Sequence, residues 1–161
     1  MANELKYLVI HCTATPEGRE VTSAEIRRWH TSPEPVGRGW KQVGYTDMFH
    51  INGGVERLVA NNEDGIVDNW EITNGAAGHN TVSRHVVYVG GMSKGASNGA
   101  NNGTCSIAKD TRTALQKEAM KRYVRAMMVK FTNIKVVGHR DLDNGKACPS
   151  FDVGQWLKTI Q

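Results

Sequence analysis

Cysteine is scarce in this chain: of 161 residues only Cys12, Cys105 and Cys148 carry a thiol, and no two of them form a CxxC pair. That count excludes a cysteine-only metal framework and argues for reduced thiols over a disulfide scaffold, so any metal site must recruit histidines. Long apolar runs are missing too. No stretch approaches the roughly 20 apolar residues of a membrane span. The opening MANELKYLVIHC has neither the basic start nor the apolar stretch and cleavage site of a secretory leader. The expectations are cytoplasmic synthesis and no membrane insertion. Internal repeats are absent, as are helix-turn-helix, zinc-finger and RNP signatures. The 20 Lys and Arg against 16 Asp and Glu, +4 net, therefore favour anionic partners without selecting one, and nucleic acid is not expected among them.

What is present is an alternation of elements. A length of 161 residues suits one domain, 1–161, able to bury a core without staples. KYLVIH (6–11) reads as a strand buried on both faces, and TSAEIRRWH (22–30) as a short helix capped by Thr22 or Ser23. A loop rich in proline and glycine leads to YTDMFHI, a strand ending at the Asn52-Gly53 turn signal before VERLVA, which predicts a hairpin. SRHVVYVGG (83–91) is a further strand. The Gly-, Asn- and Ser-rich stretch 92–104 is expected to be a mobile surface loop that offers no ligand. Residues 111–131 predict a helix with Leu115, Ala119, Tyr123, Ala126 and Met127 on its apolar face. IKVVG (134–138) returns as a strand, and VGQWLKTI closes as a short helix. This pattern implies an α/β fold with the sheet covered on both faces.

Chemistry gathers at strand ends. His11 ends the first strand and His139 the last, after a glycine that lets the backbone approach its neighbours; Cys148 follows nine residues later, with Pro149 biasing it towards extended backbone. Two imidazoles and a thiolate are a zinc ligand set, and three protein ligands leave the fourth position open, as catalytic zinc requires. Strand alternation turns Cys12 to the opposite face from His11, which makes it a core residue. Spacing alone leaves the ordinary alternative open, since one His or Cys near a strand end is more often packed or hydrogen-bonded than metal-bound. His30 reads as a capping or packing residue, and His50, His79 and His85 as surface or strand-face residues.

VIHCTAT, EIRRWH, GWKQVGY, the Asn80 to Ser83 segment, YVGG and above all KACPSFDV resemble the zinc-dependent N-acetylmuramoyl-L-alanine amidases of the phage endolysin type, relatives of the peptidoglycan recognition proteins. The resemblance runs from about residue 6 to residue 157. It implies one α/β domain with a central mixed β-sheet flanked by helices on both faces. It also implies Zn2+ on His11, His139 and Cys148, with Tyr45 and Lys146 as catalytic helpers. The substrate would be peptidoglycan, cut at the amide between N-acetylmuramic acid and L-alanine, by a chain expected to act as a monomer on the cell wall after release. Zinc would activate water and polarise the amide carbonyl. The Tyr45 hydroxyl and Lys146 ammonium would stabilise the oxyanion, while the general base is not assignable. Two departures stand out: Thr46 occupies a position where the family often has histidine, and Gly75-Ala76 replaces a His-Ala pair of the cleft wall. Arg84, His85 and the 92–104 loop also fall outside the family pattern. The competing readings are a cytoplasmic wall-recycling amidase and a non-catalytic peptidoglycan-binding protein, although such binders commonly lose the thiolate ligand.

Overall fold

In Tyr7–Cys12, Leu8, Ile10 and Cys12 alternate with Val9 and His11, and all five are buried, so this strand needs cover on both faces. The computed structural model, which describes residues 2–94 and 107–161, provides it. The strands are β1 (Asn3–Glu4), β2 (Tyr7–Cys12), β3 (Thr15–Pro16), β4 (Asp47–Phe49), β5 (Val55–Arg57), β6 (Ile66–Val67), β7 (Ser83–Tyr88), β8 (Gly91–Met92) and β9 (Lys135–Gly138). Five of them build the central sheet in the order β5-β4-β7-β2-β9. Within it the β4–β5 hairpin is antiparallel and every other pairing parallel, so the sheet is mixed as expected. The pairs β1–β6 and β3–β8 form two small ladders outside it.

The helices are α1 (Ser23–Thr31), α2 (Ala114–Lys130), α3 (His139–Leu142) and α4 (Val153–Ile160). Of the two candidate caps for α1, Thr22 takes the role: its hydroxyl accepts from Glu25 N–H, and the Glu25 carboxylate accepts from Thr22 N–H. On one face of the sheet, Leu8, Ile10, Val86 and Tyr88 pack with Met120 and Val124 of α2 and Val153 and Ile160 of α4. On the other, Val87 and Met48 pack with Ile26 of α1 and with Val21 and Val43. Each buried Leu, Ile, Val or Met contributes roughly 1.5–3 kcal/mol through the apolar area it removes from water.

Helix α2 meets the sequence expectation in part: Ala119, Tyr123 and Met127 pack on the core, but Leu115 and Ala126 are exposed. Leu115 is 60% exposed, whereas Gln116, Met120 and Val124 are buried. The reason is polar: Gln116 Nε2 donates to the Phe49 carbonyl at 3.2 Å and the Val89 carbonyl at 3.0 Å, tying the first turn of the helix to the ends of β4 and β7. Gln116→Leu, which keeps the bulk but removes both donors, is expected to destabilise the fold by about 1–3 kcal/mol, read as a lower denaturation midpoint. Of the loop expected over 92–104, Met92 belongs to β8, and most of the remainder lies outside the described residues.

Candidate metal centre and cleft

Strands β2 and β9 are parallel neighbours with Ile10 opposite Gly138, so the residues that follow each, His11 and His139, leave the sheet side by side at the same end. Gly138 is needed there because a Cβ would lie 2.8 Å from Pro149 Cδ, and only glycine lets the Cys148-Pro149 segment cross so closely. That segment is fixed from three sides. Arg140 N–H donates to the Cys148 carbonyl at 2.8 Å, the Tyr88 hydroxyl donates to the Pro149 carbonyl at 2.6 Å, and Cys12 N–H donates to Cys148 Sγ at 3.3 Å. The Cys148-Pro149 peptide is cis. Cys12 itself packs in the core, as its strand parity implies, with its thiol beside that of Cys148 at the floor of the cleft.

The three donors converge. One ligand atom each of His11, His139 and Cys148 lies within 4.8 Å of the other two. His11 Nδ1 is 3.6 Å from Cys148 Sγ. Zn–N near 2.05 Å and Zn–S near 2.3 Å at a tetrahedral angle would set a nitrogen and a sulfur about 3.6 Å apart. The spacing suits a shared ion. Electrostatics agree: burial, then His85, His139 and His30, hold His11 well below the ordinary imidazole pKa. Burial, then Lys146, lowers His139 against the pull of Asp143. Both rings are therefore neutral at pH 7, the form that offers a lone pair to a metal. The neighbouring Cys12 thiol, then burial, raises the Cys148 thiol, while the Cys12 amide and Lys146 act in the opposite direction. A cation between the three ligands would supply the missing stabilisation of a thiolate.

Tyr45 and Lys146 open onto the same cleft of about 770 Å³ as the three donors. The Tyr45 ring lies 5.2 Å from that of His11 and 5.2 Å from that of His30, and His30 in turn stacks 4.8 Å from Trp40. Burial, then the Cys148 and Cys12 thiols, pushes the Tyr45 phenol up, so it stays a donor. Lys146 is exposed at the rim. Arg38, its guanidinium carbon 5.2 Å from the Trp40 ring centre, lines the cleft together with Trp29, Asn74 and Asn80. The sequence reading gave none of these four a role: Trp29 and Asn80 fall within motifs quoted for the resemblance, while Arg38 and Asn74 sit in loops, where no periodicity marks them.

The remaining histidines divide. His50 sits outside the cleft between Glu20 and Glu56, at 3.0 and 2.8 Å. His79 lies edge-on to Tyr7 with ring centres 5.8 Å apart. His30 is a packing residue, as expected, accepting from Gly44 N–H at 2.9 Å; burial, then Arg38, lowers it to about 4. His85 is the surprise. It is fully buried and its Nδ1 lies 2.9 Å from His11 Nε2. Thr46, another of the departures, is buried and donates its N–H to the His85 carbonyl at 2.7 Å.

Comparison with known proteins gives the chain a family. Residues 1–151 match the profile of a family described as N-acetylmuramoyl-L-alanine amidase. The chain is 29% identical to an endolysin of Klebsiella phage KP32 over 153 residues, 95% of this chain and 85% of that one. It is 28% identical to an endolysin of Escherichia phage T7 over 149 residues, 92% and 83% of the two chains. Among solved structures, the Ph2119 endolysin from a Thermus scotoductus bacteriophage superposes with a TM-score of 0.69 at 23% identity, covering 98% of this chain and 86% of that one. Human PGRP-IBETAC, solved with glycosamyl muramyl pentapeptide, gives 0.64 at 16% identity, covering 98% and 84%. At those identities the two structures establish the fold alone.

Proposed function

Because the chain belongs to the N-acetylmuramoyl-L-alanine amidase family, we propose that its amide-cleaving centre is a zinc site held by His11 Nδ1, His139 and Cys148, with Tyr45 and Lys146 as the groups that meet the developing oxyanion. The protein is a phage-type amidase and its substrate is peptidoglycan. The observation that carries the zinc reading is the 3.6 Å approach of His11 Nδ1 to Cys148 Sγ, inside a set of three neutral or ionisable donors that contains no carboxylate. Such a set suits zinc over calcium or magnesium, which take oxygen ligands.

Zinc in this position supplies Lewis acidity, activating water near neutral pH and polarising the scissile carbonyl. The protein's own groups do the rest. The ring row from Trp40 through His30 to Tyr45 braces the phenol beside His11, so its O–H can point into the cleft without rearrangement when charge develops on the carbonyl oxygen. Lys146 stands two residues before Cys148, on a turn held by its own N–H to the Asp143 carbonyl at 3.1 Å, and brings an ammonium to the same end of the cleft. The cleft is polar at its base and aromatic on one wall, a mix that suits a peptide joined to a sugar. The bond cut is the amide between the lactyl group of N-acetylmuramic acid and L-alanine, which frees stem peptides from glycan strands.

Metal removal tests the centre. The purified protein is expected to carry one zinc per chain, and a chelator should abolish release of amino termini from peptidoglycan and lower the thermal midpoint. Zinc should restore both. Protein that carries no stoichiometric zinc and responds to neither treatment would refute the assignment.

A further inference from the structure

We propose that His85 is a positioning residue for the metal centre: its Nδ1 accepts the Nε2–H of His11 and so holds His11 in the tautomer and ring orientation that leave Nδ1 bare for the ion. The inference rests on the zinc reading of His11. Two imidazoles 2.9 Å apart share one proton, so one ring donates and the other accepts. The direction follows from the other end of His11. Its Nδ1 faces Cys148 Sγ, and a nitrogen that binds a metal cannot carry a proton, which places the proton on Nε2 and makes His85 the acceptor.

The sheet sets this contact. Val9 pairs with His85 and His11 with Val87 in the parallel β2–β7 ladder, so His85 and His11 lie on one face of adjacent strands, with His85 one step deeper under the cleft. His85 is 0% exposed, and its Nε2 has no hydrogen-bond partner among the described residues. Its one side-chain hydrogen bond in this structure is therefore the bond to His11. Burying an imidazole with one nitrogen unsatisfied is unfavourable, and a valine would serve the strand better. The hydrogen bond to a ligand is what the histidine adds.

Gly75 completes the arrangement. A Cβ at that position would lie 2.3 Å from His85 Nδ1 and 2.4 Å from Cγ, so the loop can close over the ring only as glycine. Two of the departures from the pattern that the resemblance implies, Gly75 and His85, thus fit one another: where the wall carries no side chain, the imidazole from the strand below occupies the space. Through its carbonyl, His85 also holds Thr46 N–H, next to Tyr45.

The test measures zinc affinity by competition with a chromophoric chelator, in the wild type, His85→Val, His85→Asn and Gly75→Ala. His85→Val removes the acceptor, and zinc affinity should fall about 10- to 100-fold, the usual effect of losing a ligand's outer partner. The thermal midpoint of the zinc-free protein should not fall with it. His85→Asn can present an amide oxygen near the place of Nδ1 and should recover most of the affinity. Gly75→Ala, which pushes on the ring, should weaken zinc in the wild type and add little in the His85→Val background. Unchanged affinity in His85→Val, or losses from Gly75→Ala and His85→Val that multiply independently, would overturn the proposal. Should His85→Val fail to fold, the Asn and Ala variants decide it: an affinity lost in His85→Asn as fully as on chelator treatment, or untouched by Gly75→Ala, counts against it. A wild type that binds no zinc would instead defeat the zinc reading on which it stands.

Discussion

Cys148→Ala is expected to lose zinc and to slow amide cleavage by about 10³-fold or more, the rate equivalent of the several kcal/mol that a metal contributes to a charged transition state. The variant removes the only sulfur among the three donors. Two imidazoles alone hold zinc weakly, so zinc content, thermal midpoint and turnover should fall together. The fold itself should survive, because the Cys148 backbone keeps its bond from Arg140 and the Pro149 carbonyl keeps the Tyr88 hydroxyl. Metal analysis, calorimetry and peptidoglycan cleavage on one preparation would check this. A variant that keeps its zinc and its turnover would remove Cys148 from the centre.

Lys146→Ala and Tyr45→Phe should give a different profile. Each leaves the three donors in place and deletes one group proposed to meet the oxyanion, so zinc content and binding to insoluble peptidoglycan should persist while turnover falls by roughly 10²- to 10³-fold. Tyr45→Phe is the cleaner of the two, since the ring keeps its place between His11 and His30. Lys146→Ala also removes the charge that lowers His139, so the acid limb of the pH profile should move to higher pH, with His139 protonating more readily. Near-normal turnover in both variants would leave the metal centre intact and refute the two assigned roles.

How much of this was legible in the sequence depends on how local each signal is. β2, the Thr22-capped helix, the Asn52-Gly53 hairpin and the terminal helix are written in contiguous residues, and the structure has all of them. Of the proposed donors, His11 and His139 were legible because each follows an apolar strand, and Cys148 because it stands in the KACPSFDV run. Helix α2 was placed, and Ala119, Tyr123 and Met127 of its expected face do pack on the core, but periodicity favours Leu115 over Gln116 because it takes no account of a buried amide that bonds two sheet carbonyls. The two-residue ladders β1–β6 and β3–β8 are too short to leave a pattern. His85 and Gly75 were each visible as oddities. Their complementarity was not, because it exists only after β7 is laid beside β2 and the loop folds back over it.

The position of β2 also bears on when the enzyme can exist. The second strand in the chain lies inside the sheet, between β7 and β9, which are made much later, and its His11 meets Cys148 only when synthesis has reached residue 148. Parallel pairings of such sequence separation form late in folding. A chain cut short before residue 148 lacks the thiolate of the proposed triad, and one cut short before residue 139 lacks its second histidine as well. The proposed centre therefore cannot assemble before residue 148 has been made and β9 has been laid beside β2.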